Sequence, residues 1–249
     1  MKSTIQLFLF VSITILFTAC KNSKEEKSEN ISIKTSEETV KNELVAIDIL
    51  LDPDSKMLDT SKTYNNRMLE NYPEGFELDE SHRPHITIIQ AFVKKEDIPK
   101  IEIDLKNILR ESNLSKTELI ANGLYYIPYE DKGLAGITIE KDNLMMFQSQ
   151  IVEMMKNYTV PNGTGTAFVP RPDDEPIMQA TVDYVNSFVP NSSGEKYNPH
   201  VTIGTAYEDY VKKLKAAPFE EFTFKIKSVS IYQLGELGTA QKKLVSLEF

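Results

Sequence analysis

The chain has 249 residues, with 37 acidic against 28 basic side chains, a formal charge of −9 and a pI near 5.0. Charged residues at 26% and hydrophobic ones at 41% exclude a collagen-like or wholly disordered chain and supply ample apolar material for a core. The acidic balance speaks against broad electrostatic capture of duplex nucleic acid, yet leaves room for a local pocket around one small anion.

The N-terminus carries the first signal. Lys2 precedes an apolar run over 5–17, too short for a comfortable bilayer span but suited to the hydrophobic part of a secretory signal. The run ends at Thr18, Ala19 and Cys20, the only cysteine, so an internal disulfide is excluded. The stretch resembles a bacterial lipoprotein signal, in which the cysteine is acylated and becomes the new N-terminus. Phe17 stands where such signals more often carry Leu. The resemblance implies a signal over 1–19, lipidation of Cys20, and a protein held by lipid at a bacterial envelope membrane, periplasmic or surface-facing. An ordinary cleaved signal with an incidental cysteine is the alternative. Residues 21–43 are charged in both signs and almost free of apolar side chains. Such a segment cannot bury enough surface to offset its ordering entropy, and 20–43 reads as a solvated tether to a folded part over 44–249.

Within that part, 44–52 reads as a strand and 61–72 as a short helix ended by Pro73. Apolar density makes 85–93 a strand. Residues 94–111 form a helix with Asp97 and Pro99 near its start and Ile101, Leu105, Ile108 and Leu109 on one face. The stretches 117–129 and 134–140 read as a hairpin joined through Gly133. Residues 144–158 are a helix whose Met145 and Met155 belong to a core stripe. Prolines and glycines make 159–171 a long loop; 173–189 reads as helix and 190–194 as a turn. Strands over 200–206, 222–234 and 243–249 and a helix over 208–216 complete the chain. Several successive strands are joined by short turns, which favours α+β over a doubly wound parallel sheet.

A repeat organises this order. Arg83-Pro84-His85-Ile86-Thr87-Ile88 recurs as Asn198-Pro199-His200-Val201-Thr202-Ile203. Each copy is followed by a helix, a long strand, a glycine-containing turn and a closing strand, which predicts two similar lobes facing each other across a cleft. Side chains alternate along a strand, so His85 and Thr87 point one way and Ile86 and Ile88 the other, as do His200 and Thr202 against Val201 and Ile203. Two imidazoles titrating near neutrality on opposite sides of one pocket suit in-line attack at a phosphodiester. A neutral ring takes the proton of the attacking oxygen, and a protonated one supplies the departing oxygen. The threonine hydroxyls can donate to the non-bridging phosphate oxygens.

Two His-x-Thr-apolar strands in a duplicated α+β chain resemble the 2H phosphoesterase superfamily, which includes 2′,3′-cyclic phosphodiesterases and the bacterial 2′-5′ RNA ligases. The resemblance covers about 44–249. It implies a bilobal fold with two antiparallel or mixed sheets around a central cleft and helices outside. It also implies metal-independent chemistry without cofactors, by His85 and His200 with Thr87 and Thr202 as phosphate-binding groups. The lipoprotein signal and the long loop-plus-helix insertion before the second motif depart from the family pattern.

His82 stands three residues before His85 in an H-x-x-H spacing, but a metal site would need Asp79, Glu80 or His200 to converge on it; a place at the pocket rim is the simpler reading. Arg83 and Tyr197 adjoin the motifs, and Phe168 and Arg171 in the long loop offer a base-stacking ring and a phosphate-facing cation; each is equally readable as ordinary surface. The expected partner is a nucleotide or short RNA-derived phosphodiester, with no duplex nucleic acid, membrane contact through the lipid only, and a monomeric chain. The reading is thus a phosphodiesterase acting on a 2′,3′-cyclic nucleotide or an RNA 2′-5′ or cyclic end. The alternatives are a tethered nucleotide-binding module without turnover and a 2′-5′ RNA ligase.

The N-terminal reading has a direct check. The protein should fractionate with membranes, and Cys20→Ser should release it or leave it unprocessed. Unchanged processing and fractionation of the variant would refute the lipid anchor.

Overall fold

Two four-stranded antiparallel sheets carry residues 43–249, the part of the chain that the computed structural model describes. The signal-like run, Cys20 and the tether up to residue 42 lie outside the described residues. In spatial order the first sheet is β2 (Ile86–Lys94), β1 (Leu44–Pro53), β7 (Ile226–Leu234) and β8 (Ala240–Glu248). The second is β5 (His200–Tyr207), β4 (Lys132–Ile139), β3 (Leu119–Tyr129) and β6 (Phe222–Phe224). The helices are α1 (Ser55–Asn71), α2 (Ile98–Glu111), α3 (Asp142–Met155), α4 (Gln179–Asn186), α5 (Phe188–Ser192) and α6 (Glu208–Ala216). The class is the mixed α+β one that the sequence predicts. No helix among the described residues is long and apolar enough to cross a membrane.

The two halves of the repeat exchange strands. The β3–β4 hairpin follows the first motif in sequence but pairs with β5, the strand of the second motif. The β7–β8 hairpin follows the second motif and joins β1 and β2. The stretch read as one strand over 222–234 breaks at Lys225, with β6 in one sheet and β7 in the other. Asp54 holds that crossing: its backbone N–H donates to the Lys225 carbonyl at 2.8 Å, and its Oδ2 accepts from the Lys225 N–H at 2.9 Å. Asp54 also caps α1, accepting from the Met57 N–H, which is why that helix starts at Ser55 instead of 61.

β1 is buried on both faces, so it reads as an apolar run and not as an alternation. Ile47, Ile49 and Leu51 enter the main core with Ile86, Ile88 and Ile89. On the other face Ala46 packs with Phe92, Phe168, Val182 and Val185, so the insertion before the second motif covers that side of the sheet. The helix expected over 173–189 is shorter: α4 begins at Gln179, beyond Pro176, and the expected turn at 190–194 is helical to Ser192. Pro190 sits in the first turn of α5, where a missing N–H costs nothing.

Both motif strands are bulged, and at matching residues. Ile49 faces Ile89 while Leu50 faces Thr87, which leaves Ile88 without a partner. Ala135 faces Gly204 while Gly136 faces Thr202, which leaves Ile203 without one. A bulge shifts the alternation by one residue. Ile88 and Ile89 therefore both turn into the core, while Gln90 joins His85 and Thr87 on the other face. Each bulge carbonyl accepts from a buried amide side chain: Ile88 O from Gln148 of α3 at 3.3 Å, Ile203 O from Asn65 of α1 at 2.9 Å. The same amides pin two further segments. Asn65 donates to Phe76 O and accepts from Leu78 N–H; Gln148 donates to Ser192 O and accepts from Gly194 N–H. Gly204 follows the second bulge at φ +142°, and a Cβ there would lie 2.9 Å from Asn65 Nδ2.

Truncating either amide strands a buried carbonyl. Asn65→Ala and Gln148→Ala should each lower unfolding stability by about 1–3 kcal/mol, read from denaturant midpoints. A loss in both variants too small to measure would show that the bulges do not depend on these amides.

Candidate active site

Where the two motif strands approach, the sheets enclose a cavity of about 580 Å³. β2 and the residue before it give His85, Thr87 and Gln90; β5 gives His200 and Thr202; β3 gives Tyr125. The insertion adds Thr181 and Tyr184, and the β7–β8 loop adds Leu237 to Thr239. Glu236 binds these last two parts together, accepting from Thr181 Oγ1, the Met178 N–H and Arg171.

The imidazoles are held alike. His85 Nδ1 lies 2.6 Å from Arg83 O and His200 Nδ1 lies 2.7 Å from Asn198 O. A carbonyl only accepts, so in each ring Nδ1 carries the hydrogen and Nε2 is left to take or give a proton. Pro84 and Pro199 stand between acceptor and ring, and their restricted φ stiffens the approach to each strand. Burial lowers both rings' pKa below the ordinary 6.5, against the bonds from the carbonyls. At His85 the Asp52 carboxylate raises it in part and Arg83 lowers it; at His200 the neighbouring His85 lowers it further.

The hydroxyls differ in what backs them. Thr87 Oγ1 lies 2.7 Å from Oδ2 of Asp48, a fully buried residue in the middle of β1. Gln90 Nε2 donates to the same oxygen at 3.1 Å and to Gly238 O at 3.2 Å. Thr87 is therefore not the simple open donor that strand alternation suggests. Thr202 neighbours the hydroxyl of Tyr125, whose pKa burial raises despite that contact. The Tyr125 ring meets the His200 ring edge-on, centroids 4.6 Å apart at 62°, and it can lie there because its cross-strand neighbour Gly136 has no Cβ to block it.

The expected substrate contacts separate into two groups. Tyr197 lines the cavity, but its hydroxyl donates to Thr87 O at 3.2 Å and clamps the two sheets. Arg83 also lines it, with its guanidinium 3.1 Å from Glu80 and 3.8 Å from Asp52. Phe168 does not reach the cavity: it is 2% exposed, packed edge-on against Phe92 in the core under the insertion, so its faces are covered. Arg171 is drawn away by Asp173 at 2.7 Å and Glu236 at 3.2 Å and offers no unpaired charge to a phosphate. His82 sits at the rim, stacked on Phe76 at 4.6 Å. Among the described residues no group of three or more His, Cys, Asp or Glu is arranged to hold a metal. Asp48, Gln90, Tyr125 and Tyr184 were not anticipated; a carboxyl inside the apolar run LVAIDILL was the one available sign.

No family model matches this chain, and no curated protein matches it. Among solved structures, TT0787 of Thermus thermophilus is similar at 12% identity and a TM-score of 0.47, over 82% of this chain and 97% of that one. Usb1 of Kluyveromyces marxianus is similar at 10% identity and a TM-score of 0.37, over 84% of this chain and 100% of that one. Usb1 with uridine monophosphate gives 11%, 0.39, 85% and 100%.

Burial sets the expected titration. Ring-proton NMR should place the midpoints of His85 and His200 below 6.5. The unfolded chain takes up protons that the folded rings refuse, so their contribution to stability is full above that pH and is lost as pH falls through the folded values. A midpoint above 7 for either ring would contradict dominance by burial.

Proposed function

We propose that the chain is a phosphodiesterase that hydrolyses a small phosphodiester by two-histidine general acid–base catalysis. The observation that carries this reading is the matched pair of imidazoles. Each is fixed through Nδ1 to the carbonyl two residues before it, and both line one cavity with Thr87 and Thr202. One neutral Nε2 takes the proton of a water as its oxygen bonds to phosphorus. The other ring, protonated, passes its proton to the departing oxygen as the old P–O bond breaks. A charge on His85 disfavours one on His200, so the proposed working state carries a single proton on the pair. The two hydroxyls stabilise the charge that builds on the non-bridging oxygens.

The cavity's surroundings support a small substrate of low charge. Its two basic lining side chains are both engaged, Arg83 with carboxylates and Lys196 with the Pro190 carbonyl at 2.8 Å. Phe76, Ile127, Leu134 and Leu237 give it apolar walls, and Tyr184 a ring. A monoanionic diester carrying a nucleoside suits that balance, so a 2′,3′-cyclic nucleotide or an RNA 2′-5′ or cyclic end is the proposed substrate class. The likeness of both motifs to the 2H phosphoesterases supports the same chemistry. In this proposal an acylated Cys20 holds the enzyme at a bacterial envelope membrane.

The test is a panel of cyclic mononucleotides, 2′-5′ oligonucleotides and a chromogenic phosphodiester, assayed in chelator. His85→Ala and His200→Ala should each lower kcat/KM by about 10²–10⁴-fold, with the double variant losing less than the product. A folded His200→Ala protein with near-wild-type turnover on its best substrate would refute the mechanism.

A further inference from the structure

Asp48 is the buried group that acid–base chemistry at the two imidazoles leaves unused. It has no exposure to solvent, its Oδ1 has no hydrogen-bond partner, and its Oδ2 meets Thr87 Oγ1 and Gln90 Nε2. The nearest basic nitrogen, His85 Nε2, stands 3.8 Å from Oδ2, beyond hydrogen-bond reach. An ionised carboxyl in such a place has neither exposure to solvent nor a cation within hydrogen-bond reach, and burial favours the neutral form of His85 too, so the neutral acid is the stable form. Burial pushes Asp48 up to about 8, and the contacts from Thr87 and Gln90 oppose this only in part.

We propose that Asp48 is held as a neutral acid that donates its hydrogen to Thr87 Oγ1, so that the Thr87 hydroxyl turns its own hydrogen toward the phosphate. Oδ2 can accept from Gln90 and donate to Thr87 at once, which keeps both observed contacts. Were Asp48 ionised, it would capture the one Thr87 hydrogen and set a negative charge directly behind the phosphate site. In the second lobe the hydroxyl near Thr202 is that of Tyr125, which burial also favours in its neutral form. Asp48 is a positioning residue, acting through Thr87. The phosphate part of this inference rests on the proposed function; the protonation of Asp48 does not.

The groups facing Asp48 are His85, Thr87 and Gln90 from β2 and its approach, Tyr232 opposite it on β7, Asp52 further along β1 with Arg83, and Tyr184 and Tyr197 across the cavity. Burial lowers the histidines from their ordinary 6.5 and raises Tyr184 and Tyr197 from their ordinary 10. Burial thus moves the histidines down and the tyrosines up, each away from the range between pH 7 and 9 in which Asp48 changes, and Asp48→Asn carries any titration that these rings retain.

The probe is dimethyl phosphate, a monoanion throughout that range, titrated by calorimetry into the wild-type protein and Asp48→Asn. Wild-type affinity should fall about tenfold from pH 7 to 9 as an anion forms behind Thr87, while the variant, which cannot ionise there, changes by less than about twofold. Parallel pH curves would overturn the proposal. So would a loss of about a hundredfold in the variant already at pH 7, which would mean that the anion is needed beside His85. A second readout needs no ligand. The folded pKa of Asp48 lies above its ordinary 3.8, so its stabilising contribution is present in acid and lost as pH rises toward about 8. The wild-type melting temperature should therefore drop relative to Asp48→Asn from pH 5 to 9, and a constant gap would overturn the protonation. A protein that shows this drop but turns over no phosphodiester would refute the proposed function and leave the state of Asp48 established.

Discussion

An extra residue in a strand leaves a carbonyl that the sheet does not pair, and the architecture around the cavity is built on answering that need twice. Ile88 and Ile203 are the extra residues, and Gln148 and Asn65 are the answers. Because a buried carbonyl without a donor is costly, each motif strand is tied to one particular helix position. Each amide then uses its remaining bonds on a segment of the cavity wall, Phe76 and Leu78 in one case and Ser192 and Gly194 in the other. Strand register, helix placement and cavity rim are thereby one coupled unit, with the two imidazoles at its centre.

Electrostatics in the cavity is governed by burial more than by paired charge. The guanidinium groups near it are paired with carboxylates, Arg83 with Glu80 and Asp52, Arg171 with Asp173 and Glu236. In the proposed mechanism the work of meeting an anion falls to oriented hydroxyls and to a proton shared between two desolvated rings. Hydroxyls stabilise a developing charge without holding the ground state as firmly as a free guanidinium would, which is the balance that turnover needs. The proposed neutral states of Asp48 and Tyr125 extend this logic one layer outward.

The pseudo-symmetry is real in the motifs and incomplete around them. Both rings bond the carbonyl two residues back and both strands bulge at the fourth motif residue. Yet β4 lies beside its motif strand while β8, its counterpart in sequence, is the far edge of the other sheet. The insertion covers one sheet only, and supplies Thr181 and Tyr184 to the cavity. Equivalent histidines thus face unlike neighbours, a carboxyl on one side and a phenol ring on the other.

The sequence by itself determined the local order: apolar runs and alternation mark the strands, the repeated Pro-His-x-Thr-Ile pattern marks the site, and strand alternation puts His85 with Thr87 and His200 with Thr202. Those features depend on neighbours along the chain, so they are legible in it. Which hairpin joins which sheet, where the strand over 222–234 divides, and that Phe168 and Arg171 spend themselves on the core and on Glu236 were decided by tertiary structure. Sheet pairing and ion pairing are contests among distant segments, won by whichever partner best covers an apolar face or satisfies a buried polar atom. Asp48 shows the boundary between the two. Its place in an apolar strand is written in the sequence, but its complete burial, with no cation in hydrogen-bond reach, exists only once β2, β7 and the insertion have closed around it.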